Sequence, residues 1–355
     1  VSVTGSGLEL NSAYYGGGIF NLQGSLSITD SGLIQNNGTY SGGAIHFLSE
    51  QSSTISGCTL LENTANYGGG IYNESTGSVT VTDSLFSGNS VVERGGGIYS
   101  TSDSTTEVFS STFANNSSSD GGGGILNLGT MSVANSTFSG NIATEFMSEG
   151  SAIFNSVSGT LTLYNSTLSG NIGYITLAND GYSVTLNLAN TIIANALDTS
   201  GSGAWACGGT GGMVSTNTNN LDDDGSCSAG LSGDPMLDPL TDNGGPTSTM
   251  ALQTDSSAID AGDDTICAGT LVGGVDQRGV ERPQGDHCDI GAYEADALPV
   301  PLWEQLPGSG EGAISSSGDP FVQIVADDFE LTETKTIRQV EFWSPTTDIG
   351  DIYYG

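Results

Sequence analysis

Gly68-Gly69-Gly70-Ile71-Tyr72-Asn73 is a stretch that the chain keeps rewriting. It returns as Gly16-Gly17-Gly18-Ile19-Phe20-Asn21, Gly42-Gly43-Ala44-Ile45, Gly95-Gly96-Gly97-Ile98-Tyr99, Gly122-Gly123-Gly124-Ile125-Leu126-Asn127 and Gly150-Ser151-Ala152-Ile153-Phe154-Asn155. The isoleucines at 19, 45, 71, 98, 125 and 153 stand 26, 26, 27, 27 and 28 residues apart. A near-constant period of this length marks a repeat architecture, in which each unit buries its apolar face only against its neighbours.

Two further elements keep step with the isoleucines. Alternating runs such as Ser78-Val79-Thr80-Val81-Thr82 and Thr160-Leu161-Thr162-Leu163 read as strands with one buried face. The second element, Leu85-Phe86-Ser87-Gly88-Asn89, is echoed by Phe113-Ala114-Asn115-Asn116, Phe138-Ser139-Gly140-Asn141 and Leu168-Ser169-Gly170-Asn171. Three short strands per repeat, without a helical pattern between them, predict an all-β chain: a right-handed parallel β-helix with 26–28 residues per coil. A leucine-rich solenoid would need shorter repeats, and a propeller blade roughly 40 residues or more.

In such a coil, equivalent positions stack about 4.8 Å apart. The spacing predicts three interior columns. Ile19, Ile45, Ile71, Ile98, Ile125 and Ile153 form the first, and Ile28, Ile55, Val81, Val108, Val133, Leu163 and Leu188 the second. The third is Leu33, Leu60, Phe86, Phe113, Phe138, Leu168 and Ile192. Asparagines at 36, 63, 89, 116, 141, 171 and 195 also align, as corner residues tolerant of left-handed backbone or as an amide ladder. Read as columns, these Gly and Asn residues shape a rod and perform no chemistry.

Composition narrows the function classes. Forty acidic against five basic residues give a formal net charge of −35, which disfavours nucleic acid and anionic membranes as partners. No run of 18 apolar residues is present to span a bilayer. Val1 already lies in repeat-like sequence, so the chain reads as a processed or partial product. Pairing each cysteine with its neighbour, Cys207 with Cys227 and Cys267 with Cys288, would close two loops and suit an oxidising exterior. Zinc is the rival reading for these cysteines, without a close Cys or His pair to support it. Cys58 stands where other repeats carry Ser and reads as a small buried thiol.

Few residues invite a chemical reading. Asp222, Asp223 and Asp224 could bind Ca²⁺, but neighbouring strand residues point to opposite faces, so a solvated loop is the expectation and no cofactor is implied. Asp30 and Asp83 occupy like positions two coils apart, with Gly57 between, and Asp is also a good turn former. His46 and Arg94 are the only basic side chains in the coils. Arg278 and Arg282, set among Asp260, Asp263, Asp264, Asp276, Asp286 and Asp289, read as internal, bidentate ion pairs. Six Asn-x-Ser/Thr sites, at Asn37, Asn73, Asn115, Asn116, Asn135 and Asn165, are no more than chance supplies in a chain this rich in Asn, Ser and Thr.

From Gly233 the sequence changes character. Gly233-Asp234-Pro235, Asp242-Asn243-Gly244-Gly245-Pro246-Thr247, Ala258-Ile259-Asp260-Ala261-Gly262, Asp276-Gln277-Arg278-Gly279 and Asp289-Ile290-Gly291-Ala292-Tyr293-Glu294 follow in order. This stretch resembles the choice-of-anchor Q module, which terminates β-helices of bacterial surface proteins. Gly42-Gly43-Ala44-Ile45 and the pairs Phe86/Asn89, Phe113/Asn116 and Phe138/Asn141 resemble the repeats of chlamydial polymorphic outer membrane proteins, which are surface adhesins. That family ends in a membrane β-barrel, which this chain does not show, so autotransport is not implied.

The expected organisation is regular coils over 1–195, irregular coils and a terminal cap over 196–296, a linker over 297–318, and the start of a β-sandwich or strand-donating segment over 319–355. The latter rests on Phe321-Val322-Gln323-Ile324 and Val340-Glu341-Phe342-Trp343, which resemble the opening of a secreted jelly-roll module. Together these features predict a non-catalytic extracellular, cell-surface structural protein or adhesin. Its expected partners are surface proteins or glycans, and its expected assembly is a fibre formed by head-to-tail stacking or strand addition. The alternative is a polysaccharide lyase or glycoside hydrolase, which would need a basic proton acceptor or two carboxylates at suitable separation.

Overall fold

The computed structural model describes residues 1–144, 149–209 and 213–296, with the short strands Trp303–Glu304 and Ala313–Ile314. Residues 1–296 form one compact unit and 297–355 a second. The first is a parallel β-helix of about eight turns. In the second, Trp303–Glu304 pairs antiparallel with Ala313–Ile314, inside the stretch read as a linker. The strands expected over 319–355 lie outside the described residues.

The sequence makes coils because each alternating segment is too short to hide its apolar side alone. The fourth coil shows the plan: strands Ser78–Thr82, Leu85–Ser87, Ser90–Arg94 and Ile98–Ser100 follow one another round the section. Each belongs to a separate sheet of parallel strands running the length of the rod, here called sheets 1 to 4. The coil therefore carries four strands where three were expected. Ser90–Arg94 escapes sequence reading because Ser-Val-Val-Glu-Arg does not alternate, and its ladder hydrogen bonds, not its side chains, make it a strand.

The columns are present. Register pairs Ile71 with Ile45 and Ile98, and continues through Ile125 and Ile153 to Leu177. Val81 pairs with Ile55 and Val108, and Phe86 with Leu60 and Phe113. All of these are fully buried. Phe86, Phe113 and Phe138 stack face to face, centroids 4.6 and 4.7 Å apart. The third column departs at its last member: Leu168 pairs with Ile193, and Ile192 pairs with Thr167 and faces outward from the coil. Strand side chains alternate, so this one-residue slip moves Ile192 to the other face of the sheet.

The asparagine column is an amide ladder one residue inside the corner. Asn116 Oδ1 accepts from the backbone N–H and the side-chain Nδ2 of Asn89, at 3.0 and 2.9 Å, while Asn116 Nδ2 donates to Phe86 O. The same triad repeats through Asn36, Asn63, Asn141 and Asn171. The left-handed backbone falls on the preceding residue, Glu62 (φ 53°), Gly88 (φ 62°) or Asn115 (φ 56°). Asn195 (φ 53°) belongs to that corner row and not to the ladder. A second corner row, Asp30, Gly57, Asp83, Ser110, Asn135, Asn165 and Asn190, also has positive φ and is followed by a serine column. There Ser84 Oγ accepts from Cys58 N, and Ser111 Oγ from Ser84 N. Cys58 is the buried free thiol of that column, and Cys207–Cys227 and Cys267–Cys288 are disulfides.

Residues 233–296 do not sit only at the end, as a terminal cap would. They fold back as a strap over the outer side of sheet 2, as far as the fifth coil. Gln277, buried, donates to Thr112 Oγ1 and accepts from Thr137 Oγ1, and Thr112 donates to Ser248 O. Asn135 donates to Val272 O and Val275 O, Asn190 to Asp263 O, and Asn219 to Ala261 O. The outward Ile192 packs here with Leu252, Ala258 and Ile290.

Candidate binding surface

In the first four coils, aromatic rings gather on the outward side of sheets 3 and 4. On sheet 4, Phe20, His46, Tyr72 and Tyr99 hold one register position in successive coils. Their ring centroids lie 5.1, 4.9 and 4.9 Å apart. A row of three rings comes from sheet 3, where Tyr14 stacks on Tyr40 at 5.4 Å and Tyr40 meets Tyr67 at 5.7 Å, and Tyr67 in turn meets Tyr99 of sheet 4 at 5.7 Å. Tyr15 bridges the rows, touching Tyr40, Phe20 and His46. Tyr14 is 59% and Tyr40 38% exposed, so this is surface and not core.

The polar groups around the rings are largely acidic. Arg94 Nη2 lies 3.0 Å from Glu149 Oε1 and its Nε 3.7 Å from Asp120 Oδ2, so the cation at this face is already paired. Burial pushes the Glu149 carboxyl up to about 7, against the pull of Arg94. His46 is buried beneath the rings with its Nδ1 2.7 Å from Ser41 Oγ and its Nε2 3.5 Å from Glu74 Oε2. Desolvation lowers its pKa to about 4, so the ring is neutral at ordinary pH. Beside Glu74 opens a groove of about 520 Å³ lined also by Leu22, Gln23, Leu48, Glu50 and Gln51. Sequence reading singled out His46 and Arg94 but missed the face they share. The signal was available: Phe20, His46, Tyr72 and Tyr99 each follow a column isoleucine by one residue.

The other candidates are dispersed. Asp222 lies in the strand Leu221–Asp222, buried, and accepts from Cys227 N at 2.7 Å. Burial raises its pKa. Asp223 accepts from Asn195 N, and Asp224 from Ala206 N and Ser226 N. Asp222 is buried, Asp223 half-buried and Asp224 exposed, and each carboxylate accepts from backbone N–H groups. Among the described residues no three His, Cys, Asp or Glu side chains group as metal ligands. Asp30 and Asp83 both take positive φ at the corner between sheets 1 and 2, as turn formers do.

The two arginines are internal, but neither is bidentate. Arg278 Nε and Nη2 both reach the same oxygen, Asp276 Oδ2, at 2.8 and 2.7 Å, and its guanidinium lies 3.6 Å over the Tyr293 ring. Arg282, fully buried, meets Glu294 Oε2 at 3.0 Å and the carbonyls of Asp289 and Gly291. Of the six glycan sites, Asn73, Asn116, Asn135 and Asn165 are buried, the last two beneath the strap, and only Asn37 and Asn115 are exposed.

Among the described residues, no helix is long and apolar enough to cross a membrane. No curated protein and no solved structure matches the chain. Two segments, residues 83–101 and 110–128, match the Chlamydia polymorphic membrane protein (Chlamydia_PMP) repeat. Both start at the corner before sheet 2 and end just after sheet 4, so each match holds one Phe, one ladder Asn and one glycine triplet with its Ile. Segments of the fourth and fifth coils are thus similar to polymorphic-membrane-protein repeats, and repeat and fold together fit a surface-exposed repeat protein.

Proposed function

We propose that the chain is the non-catalytic, extracellular rod of a cell-surface adhesin. The observation that carries this reading is the occupancy of the repeated positions. Residues that recur along the chain are spent chiefly on the interior columns, the amide ladder and the corners, which build the rod itself. A rod of this kind lends length and stiffness to whatever its flanks bind. The repeat match in coils four and five supports a surface location. Two disulfides suit an oxidising exterior.

In this reading the anchor-module resemblance of residues 233–296 describes a strap that locks the later coils, and fibre formation is a separate property to be tested. The test of location is protease shaving of intact producing cells, followed by mass spectrometry of released peptides. Release of coil peptides from intact cells is the expected result. Release only after lysis would overturn it. The test of adhesion is attachment of beads coated with the full chain to glycan-bearing or cellular surfaces. Chemical catalysis, detected as reducing or unsaturated sugar released from a polysaccharide panel, would contradict the non-catalytic assignment.

A further inference from the structure

We propose that the aromatic face of the first four coils binds a neutral polysaccharide, laid along the rod axis with successive sugars on successive coils. The proposal deepens the adhesin reading above by naming the surface and the ligand class.

Periodicity is the first argument. Each of the first four coils places one ring in the sheet 4 row, and coils one to three place Tyr14, Tyr40 and Tyr67 on sheet 3, so the rings recur at about the strand spacing of 4.8 Å. That is close to the rise of one pyranose along an extended glycan, so a polymer of identical sugars can meet exposed rings at successive steps. A globular protein partner would have no such regularity to match.

Chemistry is the second. Tyr14, Tyr15, Tyr40 and Phe20 are each at least 38% exposed, and apolar groups gathered in this way on a soluble surface mark an interaction site. Tyrosine offers a flat apolar ring for the C–H side of a sugar and a hydroxyl for its edge, with little rotamer entropy to lose. The adjoining groove supplies Gln23, Gln51, Glu50 and Glu74, whose amides and carboxylates can donate to and accept from neighbouring sugar hydroxyls.

Charge is the third. Glu74 lines the groove, Glu93 and Asp120 lie within electrostatic reach of Tyr67, and Arg94 is paired with Asp120 and Glu149. With a net charge of −35 overall, a uronate, a sulfated glycan or a nucleic acid would be repelled. A neutral chain is admitted.

The experiment is titration calorimetry of the full chain with cellohexaose, xylohexaose and a mannohexaose, with oligogalacturonate as the anionic control. Saturable binding of at least one neutral hexasaccharide, with none of the galacturonate, is expected. Tyr40→Ala and Tyr67→Ala should each weaken that binding at least tenfold, and Gln51→Ala in the groove should weaken it without touching the rings. Circular dichroism and melting of each variant check that the coils are intact. Absence of binding to every neutral glycan overturns the proposal, as does preference for the galacturonate or unchanged affinity in all three variants. Sedimentation of the same proteins adds one more outcome: a dimer abolished by Tyr40→Ala would make the face a contact between two copies and overturn glycan binding. Protease shaving of cells reports the surface location independently, so a failure here is separable from a failure there.

Discussion

A Cβ added at Gly97 would sit 2.9 Å from Cδ1 of Phe113 in the next coil and 2.5 Å from Gly124 O. Gly70 stands in the same relation to Phe86 and Gly97 O, and Gly124 to Phe138 and Ala152 O. Where this triplet position is Ala instead, at Ala44 and Ala152, the residue aligned with the phenylalanines one coil on is Leu60 or Leu168. At Gly70, Gly97 and Gly124 the glycine is thus matched to the ring it faces, as close packing demands. Gly97→Ala should lower stability by about 1–3 kcal/mol through overpacking. The double variant with Phe113→Leu should recover part of that loss, a coupling that chemical denaturation in a double-mutant cycle reads directly.

The ladder asparagines and the corner asparagines should respond to substitution by very different amounts. Asn116→Ala strands the Asn89 backbone N–H and side-chain amide and the Phe86 carbonyl. Buried unsatisfied groups of this kind cost about 1–3 kcal/mol each, so the variant should be strongly destabilised. Its neighbour Asn115 is exposed with φ 56°, aligned with Gly88 and Gly140. Asn115→Gly removes left-handed strain and should shift stability by no more than about 1 kcal/mol. Thermal melting of the two adjacent variants makes the comparison.

The strap depends on Gln277, whose amide joins Thr112, Thr137 and Thr247. Gln277→Leu should leave all three hydroxyls under-bonded and loosen residues 233–296, at a cost of about 2–3 kcal/mol. Limited proteolysis should then cut within the strap well before it cuts the coils. Simultaneous loss of strap and coils would contradict this division.

Acid should stabilise the fold between pH 7 and about pH 4.5. Glu149 has its folded pKa raised from 4.5 to about 7, and Asp289 from 3.8 to about 6, both chiefly by burial. A raised folded pKa means stability fully present below the unfolded value and lost as pH rises through the folded one. His46 acts in the other sense: lowered from 6.5 to about 4, it removes stability as pH falls through that window. Two carboxylates and the relief of a large negative charge outweigh one imidazole. Melting temperature followed against pH should rise on acidification from 7, and Glu149→Gln should flatten that slope.

How far the chain could be read depended on which residues obey the period. Ile, Val and Phe in the columns, and the ladder Asn, are locked to the coil because each must touch its counterpart, so a spacing of 25–30 residues exposes them. Ile192 was misplaced because Thr191-Ile192-Ile193-Ala194 offers two isoleucines, and only the strap explains why the outward one is apolar. The strap itself was hidden: Thr112, Thr137, Asn135 and Asn190 look like any polar surface until their partners, more than seventy residues away, are placed on them. The aromatic face was hidden for a different reason. Its rings sit on the outward side of sheets whose inward side carried the pattern.

The stacking of equivalent residues is tested most directly by spin-label distances along sheet 1. Ser27, Thr54, Thr80, Glu107, Ser132, Thr162 and Asn187 occupy one register position in successive coils and lie away from the core columns. With one label fixed at Asn187 and the second moved back one coil at a time, the pulsed electron–electron distance should lengthen by about 4.8 Å per coil, reaching roughly 29 Å at Ser27. Distances that bear no linear relation to coil number would contradict the account.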